Sequence, residues 1–541
     1  MGVWYSTDLF RGYPACKVSP NSILARNINQ TGFYSLESDK NVVLSPELIK
    51  EKGQPSSLGN RMTSYLYAGI LKIAGDPNLR SYLLLSIVIN ALAFVVFLRL
   101  ILYLFDFKIA SLFGFIYILL PLNWQVPYNI GTYEFAFLFF SLFLLFYFIG
   151  QNKRHSYLYY ISSGLFLALA VLSREALLLI VPFLMIFLFI KKRKKQLLYI
   201  FIPFSVIFLF FWLPSLGQNI NLNLLSNDLS TEDKIADFSF YGHLYPDPYT
   251  YHFEKEDHLE NIVKDKNFSV KNIETLKYLK NIESEKIGFL NRIQISLMLV
   301  VRHLFRFISL QEIGGSLVLL LFFLGLLYLK NKNKFLMEFI IYWILSAIVL
   351  MAFVLLLGRS HMMDFNWALA LLVALGVLFL SNLIANHFNF EHKKRLAVLV
   401  VMLIAASYHL VLSNHVVLGR VYDQSDIPLL YTYAQQIDRE GISNKEVIAL
   451  DIASSDMYNL NFLTDKSYVI FRAETIKRLL KEESLNRAFE NYNVGYIIGY
   501  SENLSDQITQ QVGVVNISSN SVKPFDFRVS RNKGWLMNLV K

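Results

Sequence analysis

Ten apolar runs of about twenty residues constrain the fold of this chain more than any other feature of its sequence. A helix of that length can cross a hydrocarbon core of about 30 Å, and soluble domains rarely contain so many such runs. The runs occupy residues 81–104, 108–124, 132–150, 157–173, 175–190, 196–216, 314–330, 336–357, 364–386 and 395–415. We therefore predict a polytopic α-helical membrane protein with about ten transmembrane helices.

The net charge of +10 is concentrated in short connections between these runs. Every second connection is basic, as at 191–195, whereas 123–131 contains neither lysine nor arginine. Because short basic loops stay in the cytoplasm, this pattern predicts a multi-pass protein of the cytoplasmic (plasma) membrane. The N-terminal region, the 217–313 connection and the C-terminal tail then face outward. Since the cations belong to these loops, we expect no surface for nucleic acid.

Five regions follow from the distribution of apolar and polar residues. They are an outward first loop with an interfacial helix (1–80), helices 1–6 (81–216), a large outward loop with an amphipathic helix (217–313), helices 7–10 (314–415) and a soluble tail (416–541). The tail has β-like runs at 446–452, 467–471 and 494–500, separated by helical patterns. This alternation predicts a small C-terminal α/β extracytoplasmic domain.

Ionisable residues near the predicted spans are concentrated at their outward ends. Glu134 begins the third run, Arg174 and Glu175 separate the fourth from the fifth, and Arg359 and His361 separate the eighth from the ninth. A transporter more often has ionisable groups near the membrane midplane. The distribution therefore indicates a site at the outer membrane surface.

Three segments carry a family resemblance. The segment at 166–184 reads FLALAVLSREALLLIVPFL, the segment at 127–138 reads PYNIGTYEFAFL, and the segment at 358–361 reads GRSH. Their order and outward placement resemble those of the GT-C superfamily of polyprenyl-phosphate-sugar glycosyltransferases. This superfamily includes protein O-mannosyltransferase-like and aminoarabinose-transferase-like enzymes.

The resemblance implies transfer of a sugar from a polyprenyl-phosphate carrier to an extracytoplasmic acceptor, with inversion at the anomeric carbon. The expected partners are this donor, membrane lipids and an acceptor that is a glycan, a lipid or a protein. Two alternatives stay open: a transporter or flippase for lipid-linked sugars, and a catalytically inactive scaffold relative. The second alternative arises because the family has a span before its first outer loop, and we expect that span to be missing here.

Glycosyl transfer requires a carboxylate near the acceptor and positive charge near the departing phosphate. The predicted catalytic residues are Asp8, which matches the family's first-loop aspartate, and Glu134. The predicted donor-phosphate ligands are Arg174, Arg359, Arg302 and Arg306, because a guanidinium can bind phosphate through two parallel hydrogen bonds. Further candidates are Glu175, His361, Tyr245 and His243. The outer histidines and carboxylates show no metal-ligand spacing, so we expect no metal and no other cofactor.

Each candidate also has an ordinary structural explanation. An acidic residue favours a helix N-terminus, two opposite charges can pair at a helix junction, and arginines anchor helices at lipid headgroups. We expect Glu134 and Arg174 at an outer surface rather than in a packed core. Glu134→Gln and Arg174→Ala should therefore each abolish transfer while expression is maintained.

Overall fold

The computed structural model describes most of the apolar helices and separate parts of the N-terminal region and of the tail. It covers residues 17–18, 20–31, 61–74, 79–120, 123, 129–225, 315–353 and 365–423, apart from single positions, and the tail elements named below with a few isolated residues. Outside the described residues lie Asp8, His243, Tyr245, Arg302, Arg306, Arg359 and His361. Glu175 is described in its backbone alone.

A short strand and two helices precede the first long apolar helix. Strand β1 is Lys17–Val18, helix α1 is Pro20–Thr31 and helix α2 is Arg61–Ala74. Helix α2 packs against α1 and buries Tyr67, Ala68 and Leu71, while Ile73 is exposed. It is therefore amphipathic, as the sequence predicts. Its place on the outer membrane surface stays a prediction.

Ten helices coincide with the ten predicted apolar runs. They are α3 (Leu79–Leu104), α4 (Phe107–Leu119), α5 (Glu134–Gly150), α6 (Ser156–Ser173), α7 (Val181–Ile190), α8 (Lys194–Leu225), α9 (Gly315–Lys332), α10 (Lys334–Phe353), α11 (Asn366–His387) and α12 (His392–Asp423). Within the described residues, six of them are long and apolar enough to cross a membrane, namely α3, α6, α8, α9, α11 and α12. Helices α4, α5 and α7 are apolar but shorter. The predicted class, a polytopic helical membrane fold, is confirmed.

The run at 175–190 forms two pieces rather than the single helix that the sequence predicts. Arg174 is extended, with φ −154° and ψ 106°, and a 3₁₀ helix at Glu175–Ile180 leads into α7. Pro182 lies in the first turn of α7, where its missing N–H costs least. Because 3₁₀ residues rise by about 2.0 Å and α residues by about 1.5 Å, the two pieces together extend about 27 Å. The segment is therefore no shorter than one α-helix of the same residues, which would extend about 24 Å. The extended Arg174 separates it from α6.

Two glycines bring α9 and α11 into backbone contact. A methyl group at Gly325 would overlap the carbonyl oxygen of Leu372, and one at Gly376 would overlap that of Leu321. Transmembrane helices associate through such small-residue crossings, since lipid supplies no hydrophobic driving force between them. Helix α11 is the most enclosed of the six long helices, with 72% of its apolar window buried. It forms the centre of the bundle.

The tail contains a five-stranded sheet. Its strands are β3 (Val447–Leu450), β4 (Ser467–Ile470), β5 (Val494–Ile498), β6 (Val514–Ser518) and β7 (Leu536–Leu539), and helix α13 (Ala473–Lys481) follows β4. The strand order is β4-β3-β5-β7-β6, in which β3 is parallel to β4 and β5, and β7 is antiparallel to β5 and β6. The three β-like runs of the sequence are thus strands, and the predicted α/β tail is confirmed.

Candidate functional site

A tight turn before α5 positions Glu134. Strand β2 (Asn129–Ile130) pairs in parallel with β1, so the turn lies beside the N-terminal region. Gly131 follows with φ 82°, a left-handed conformation that glycine adopts without steric cost. Helix α5 then begins at Glu134. The turn directs its own Gly131 and Tyr133 amides toward the carboxylate of Glu134.

Glu134 is completely buried, and its carboxylate accepts three hydrogen bonds. Oε1 accepts from the Ser86 hydroxyl at 2.6 Å and from the Gly131 amide at 3.0 Å. Oε2 accepts from the Tyr133 amide at 3.0 Å. These donors compensate for the loss of water around a buried carboxylate. Because Ser86 belongs to α3, the carboxylate also connects α3 to the turn.

Arg174 packs against the ring of Tyr133. Its guanidinium carbon is 4.2 Å from the centroid of the Tyr133 ring, and only 5% of the residue is exposed. The same tyrosine therefore supports Arg174 with its ring and donates its amide to Glu134. The structure thus brings together two residues that the sequence predicts at a common site.

The burial of both residues corrects the expectation of an outer surface. The N-terminal helices cover the turn: the Thr63 hydroxyl of α2 donates to the Ser173 carbonyl at 3.2 Å, directly before Arg174. The Tyr67 ring of α2 meets the Phe135 ring edge-on at 5.4 Å, directly after Glu134. Because α2 is separated in sequence from the turn by about 60 residues, its contact with the turn cannot be read from local pattern.

Tyr67 is a site residue that the sequence analysis did not identify. It is fully buried, and its ring stacks on Tyr82 with centroids 5.4 Å apart. Among the described residues its hydroxyl makes no hydrogen bond. Burial, together with the neighbouring Glu134 carboxylate, raises the pKa of the Tyr67 phenol well above its usual range. Its hydroxyl therefore keeps its proton at neutral pH and can donate a hydrogen bond.

Arg26 of α1 is a second buried arginine that sequence reasoning missed. The residue is 5% exposed, and its Nε donates to the Asn27 side chain at 3.4 Å. It lies near Tyr82, whose hydroxyl donates to the Ser22 carbonyl at 3.2 Å. The one sequence signal was the apolar run before it, residues 23–25, which predicts a buried neighbour but not a buried charge.

The remaining predicted site residues stay predictions. Asp8, His243, Tyr245, Arg302, Arg306, Arg359 and His361 lie outside the described residues, and nothing is described of the Glu175 side chain. In the part of the chain that the structure describes, no three His, Cys, Asp or Glu side chains meet as a metal site would require.

Comparison with known proteins finds a family model that matches part of the chain. Residues 61–217 match the model of the family described as dolichyl-phosphate-mannose-protein mannosyltransferase. This range includes Tyr67, Ser86, Glu134 and Arg174. Among solved structures, the apo oligosaccharyltransferase of Archaeoglobus fulgidus matches with a TM-score of 0.53 and 13% identity, over 91% of this chain and 67% of that one.

The chain shares its fold with this oligosaccharyltransferase. The same protein in complex with zinc and sulfate matches with a TM-score of 0.51 and 13% identity, over 92% of this chain and 67% of that one. ArnT from Cupriavidus metallidurans bound to undecaprenyl phosphate matches with a TM-score of 0.47 and 11% identity, over 96% and 92% of the two chains. No curated protein matches by sequence. The predicted GT-C resemblance is confirmed.

Proposed function

We propose that the protein is a membrane glycosyltransferase that moves a sugar from a polyprenyl-phosphate carrier to an extracytoplasmic acceptor. The observation that carries the proposal is the buried Arg174, oriented by Tyr133 within the segment that matches the mannosyltransferase family. That family's description names a lipid phosphate as donor and a protein as acceptor. The GT-C fold of the chain agrees with this class of reaction.

In this proposal Arg174 binds the phosphate of the donor. As the acceptor attacks the anomeric carbon, the bond from that carbon to the phosphate oxygen breaks and negative charge develops on the phosphate. A guanidinium stabilises such charge through N–H groups at its edge, and it remains protonated throughout. The Tyr133 stack engages the face of the guanidinium, so it orients the edge without competing for phosphate.

The hydrogen bonds of Glu134 favour a positioning role over proton acceptance. A general base must approach the acceptor proton to hydrogen-bond distance. Both Glu134 oxygens already accept hydrogen bonds, and the residue is completely buried. We therefore assign Glu134 to holding the turn that carries Tyr133, and we retain Asp8 as the proposed base. In support, β1 begins nine residues after Asp8 and pairs with β2 beside the turn.

We place the carrier chain along a shallow apolar crevice between α7 and α10. It is lined by Ile180, Leu184, Phe187, Phe339 and Trp343 among others. Ile180 ends the 3₁₀ helix that begins directly after Arg174. Isoprenoid units would be accommodated by such an apolar, aromatic lining. The crevice thus begins one short helix away from Arg174, so the lipid tail of a phosphate bound there would extend toward it.

The described side chains do not fit a metal ion. The A. fulgidus oligosaccharyltransferase is described in complex with zinc and sulfate. Here the Glu134 carboxylate is enclosed by three hydrogen-bond donors, and no three His, Cys, Asp or Glu side chains of the described residues meet. No step of the proposed reaction is therefore assigned to a metal.

The finer localisation is part of the proposal. The basic connections support a protein of the cytoplasmic membrane whose 217–313 loop and tail lie outside, where they would bind the acceptor. Transport of lipid-linked sugars is the competing function. Among described residues, the buried charged side chains Arg26, Glu134 and Arg174 belong to the N-terminal helices and the turns they cover, not to the middle of α11, which favours transfer over transport.

The proposal is tested with the full-length protein in liposomes that contain a polyprenyl-phosphate-linked radiolabelled sugar and a membrane extract as acceptor. Release of polyprenyl phosphate with labelled acceptor is expected, and Arg174→Gln should slow it by about 100-fold. The matched control is Arg154→Gln, which removes the same charge from an exposed turn and should keep the rate. Label that crosses the bilayer without release of polyprenyl phosphate would establish transport. The absence of both release and crossing would favour an inactive scaffold.

A further inference from the structure

A second polar cluster lies far from Glu134, at the turns that join α7 to α8 and α9 to α10. The guanidinium carbon of Arg193 is 4.1 Å from the centroid of the Phe335 ring, and Lys191 pairs with Glu338. These contacts bring two basic segments together. The cations are Lys191, Lys192, Arg193, Lys194, Lys195, Lys330, Lys332 and Lys334, against one acidic residue, Glu338. We call these two turns the basic cluster.

The basic cluster lies at the depth of lipid headgroups. Directly before it, Phe189 and Ile190 are 65% and 52% exposed, and directly after it Leu198 and Ile202 are 54% and 59% exposed. Apolar side chains exposed on membrane helices face acyl chains, so the cations between them meet the headgroups. The positive-inside rule assigns this face to the cytoplasm, whose leaflet carries anionic lipids.

Arg193 is held in place more firmly than a topological signal requires. Besides the Phe335 stack, its Nη1 donates to Gln196 Oε1 at 3.3 Å, and Gln196 Nε2 donates to the Tyr160 hydroxyl at 2.7 Å. An arginine that served only to keep a loop in the cytoplasm would need charge but no fixed geometry. The ordered guanidinium therefore indicates a ligand of defined shape.

The Tyr147 hydroxyl supplies an independent observation. Tyr147 is completely buried, its hydroxyl faces the Arg193 guanidinium, and no acceptor for the hydroxyl proton is found in the described part of the chain. A buried hydroxyl proton without an acceptor is uncommon and indicates a ligand or water that completes it. An anionic oxygen beside Arg193 would accept from both groups.

We propose that the basic cluster binds the phosphate of an anionic phospholipid, with Arg193 and Tyr147 as its donors. The exposed lysines, Lys192, Lys194 and Lys195, supply the surrounding positive charge. The acyl chains lie along the exposed apolar surfaces of α7 and α8. This site is separate from the proposed donor site in residues and in ligand, so either can fail without the other.

Binding is tested on the full-length protein in a neutral detergent by native mass spectrometry and by the thermal unfolding midpoint. The probes are phosphatidylglycerol, phosphatidylcholine of the same chain length, and soluble glycerol 3-phosphate. We expect saturable binding and a raised midpoint with phosphatidylglycerol alone. Arg193→Gln should weaken this binding about tenfold, since a charged hydrogen bond to phosphate is lost. Arg154→Gln, the same change in an exposed turn, should keep the affinity within about twofold.

Tyr147→Phe separates a ligand donor from a structural residue. The variant retains the ring that stacks on Phe143 and Phe339, and it removes a hydroxyl whose proton has no described acceptor. We expect a midpoint without lipid at least as high as that of the wild type, with phosphatidylglycerol affinity lower by about fivefold. Equal binding of both phospholipids, equal losses in Arg193→Gln and Arg154→Gln, or equally tight glycerol 3-phosphate would overturn the proposal.

Discussion

Two arginines in this protein make the same contact in different surroundings. Arg174 lies 4.2 Å above Tyr133 and Arg193 lies 4.1 Å above Phe335. The first is 5% exposed and stacks on the tyrosine whose amide binds the buried Glu134 carboxylate, whereas the second belongs to the basic cluster, with seven other cations. An aromatic stack fixes the guanidinium in both. What the arginine can bind is decided by burial and by the charges around it.

The largest difference between the two surroundings should appear when the carboxylate of each is removed. Glu134→Ala leaves three donors buried without an acceptor and should lower the free energy of unfolding by about 3 kcal/mol. Glu338→Ala breaks only the partly exposed ion pair with Lys191 and should cost at most about 1 kcal/mol. Chemical unfolding in detergent, followed by tryptophan fluorescence, measures both. Equal losses would show that burial is not what distinguishes the two sites.

Arg174→Lys tests whether the buried arginine contributes geometry or charge alone. Lysine keeps the charge but has neither the planar fork nor the stack on Tyr133, so transfer should fall by about tenfold, less than for Arg174→Gln. The measurement is the initial rate of polyprenyl phosphate release over a range of donor concentrations. A wild-type rate would reduce the role of Arg174 to that of a point charge.

Replacement of each stacked ring by leucine should reduce the free energy of unfolding by different amounts. Tyr133→Leu removes a cation–π contact from a buried arginine and should reduce stability by about 2 kcal/mol, whereas Phe335→Leu should cost about 0.5–1 kcal/mol beyond the loss of ring packing. Tyr133→Phe keeps the ring and the amide that binds Glu134, and it serves as the control. A larger loss for Phe335→Leu than for Tyr133→Leu would contradict the expectation that burial strengthens the cation–π contact.

The smallest expected effect is that of the Tyr67 hydroxyl. Its raised pKa means that the folded protein retains the phenol proton above pH 10, where the unfolded chain loses it. Folding stability should therefore fall as the pH rises above about 10, and Tyr67→Phe should reduce this fall. At pH 7 the substitution should change the free energy of unfolding by less than about 1 kcal/mol. Unfolding midpoints between pH 8 and 11 provide the comparison.

The sequence predicted the membrane fold better than the site. Span length and loop charge are local properties, so the ten helical runs and the α/β tail could be read directly. The sequence placed Glu134 and Arg174 at the ends of spans on one side, and both contact Tyr133; their role at a common site stays a prediction. Their burial was not predicted, because it depends on α2, whose Thr63 and Tyr67 reach these residues from a distant segment. The division of 175–190 into a 3₁₀ helix and α7 was not predicted either, since the run is uniformly apolar after Glu175.

The three hydrogen bonds of Glu134 also bear on the biogenesis of the protein. Ser86, which supplies the shortest of them, is made before Glu134 and lies in α3, two apolar segments earlier. When α5 enters the bilayer from the translocation machinery, the Glu134 carboxylate therefore meets the Ser86 hydroxyl, which is already in place. The carboxylate then need not enter lipid without a hydrogen-bond donor, because α3 supplies one.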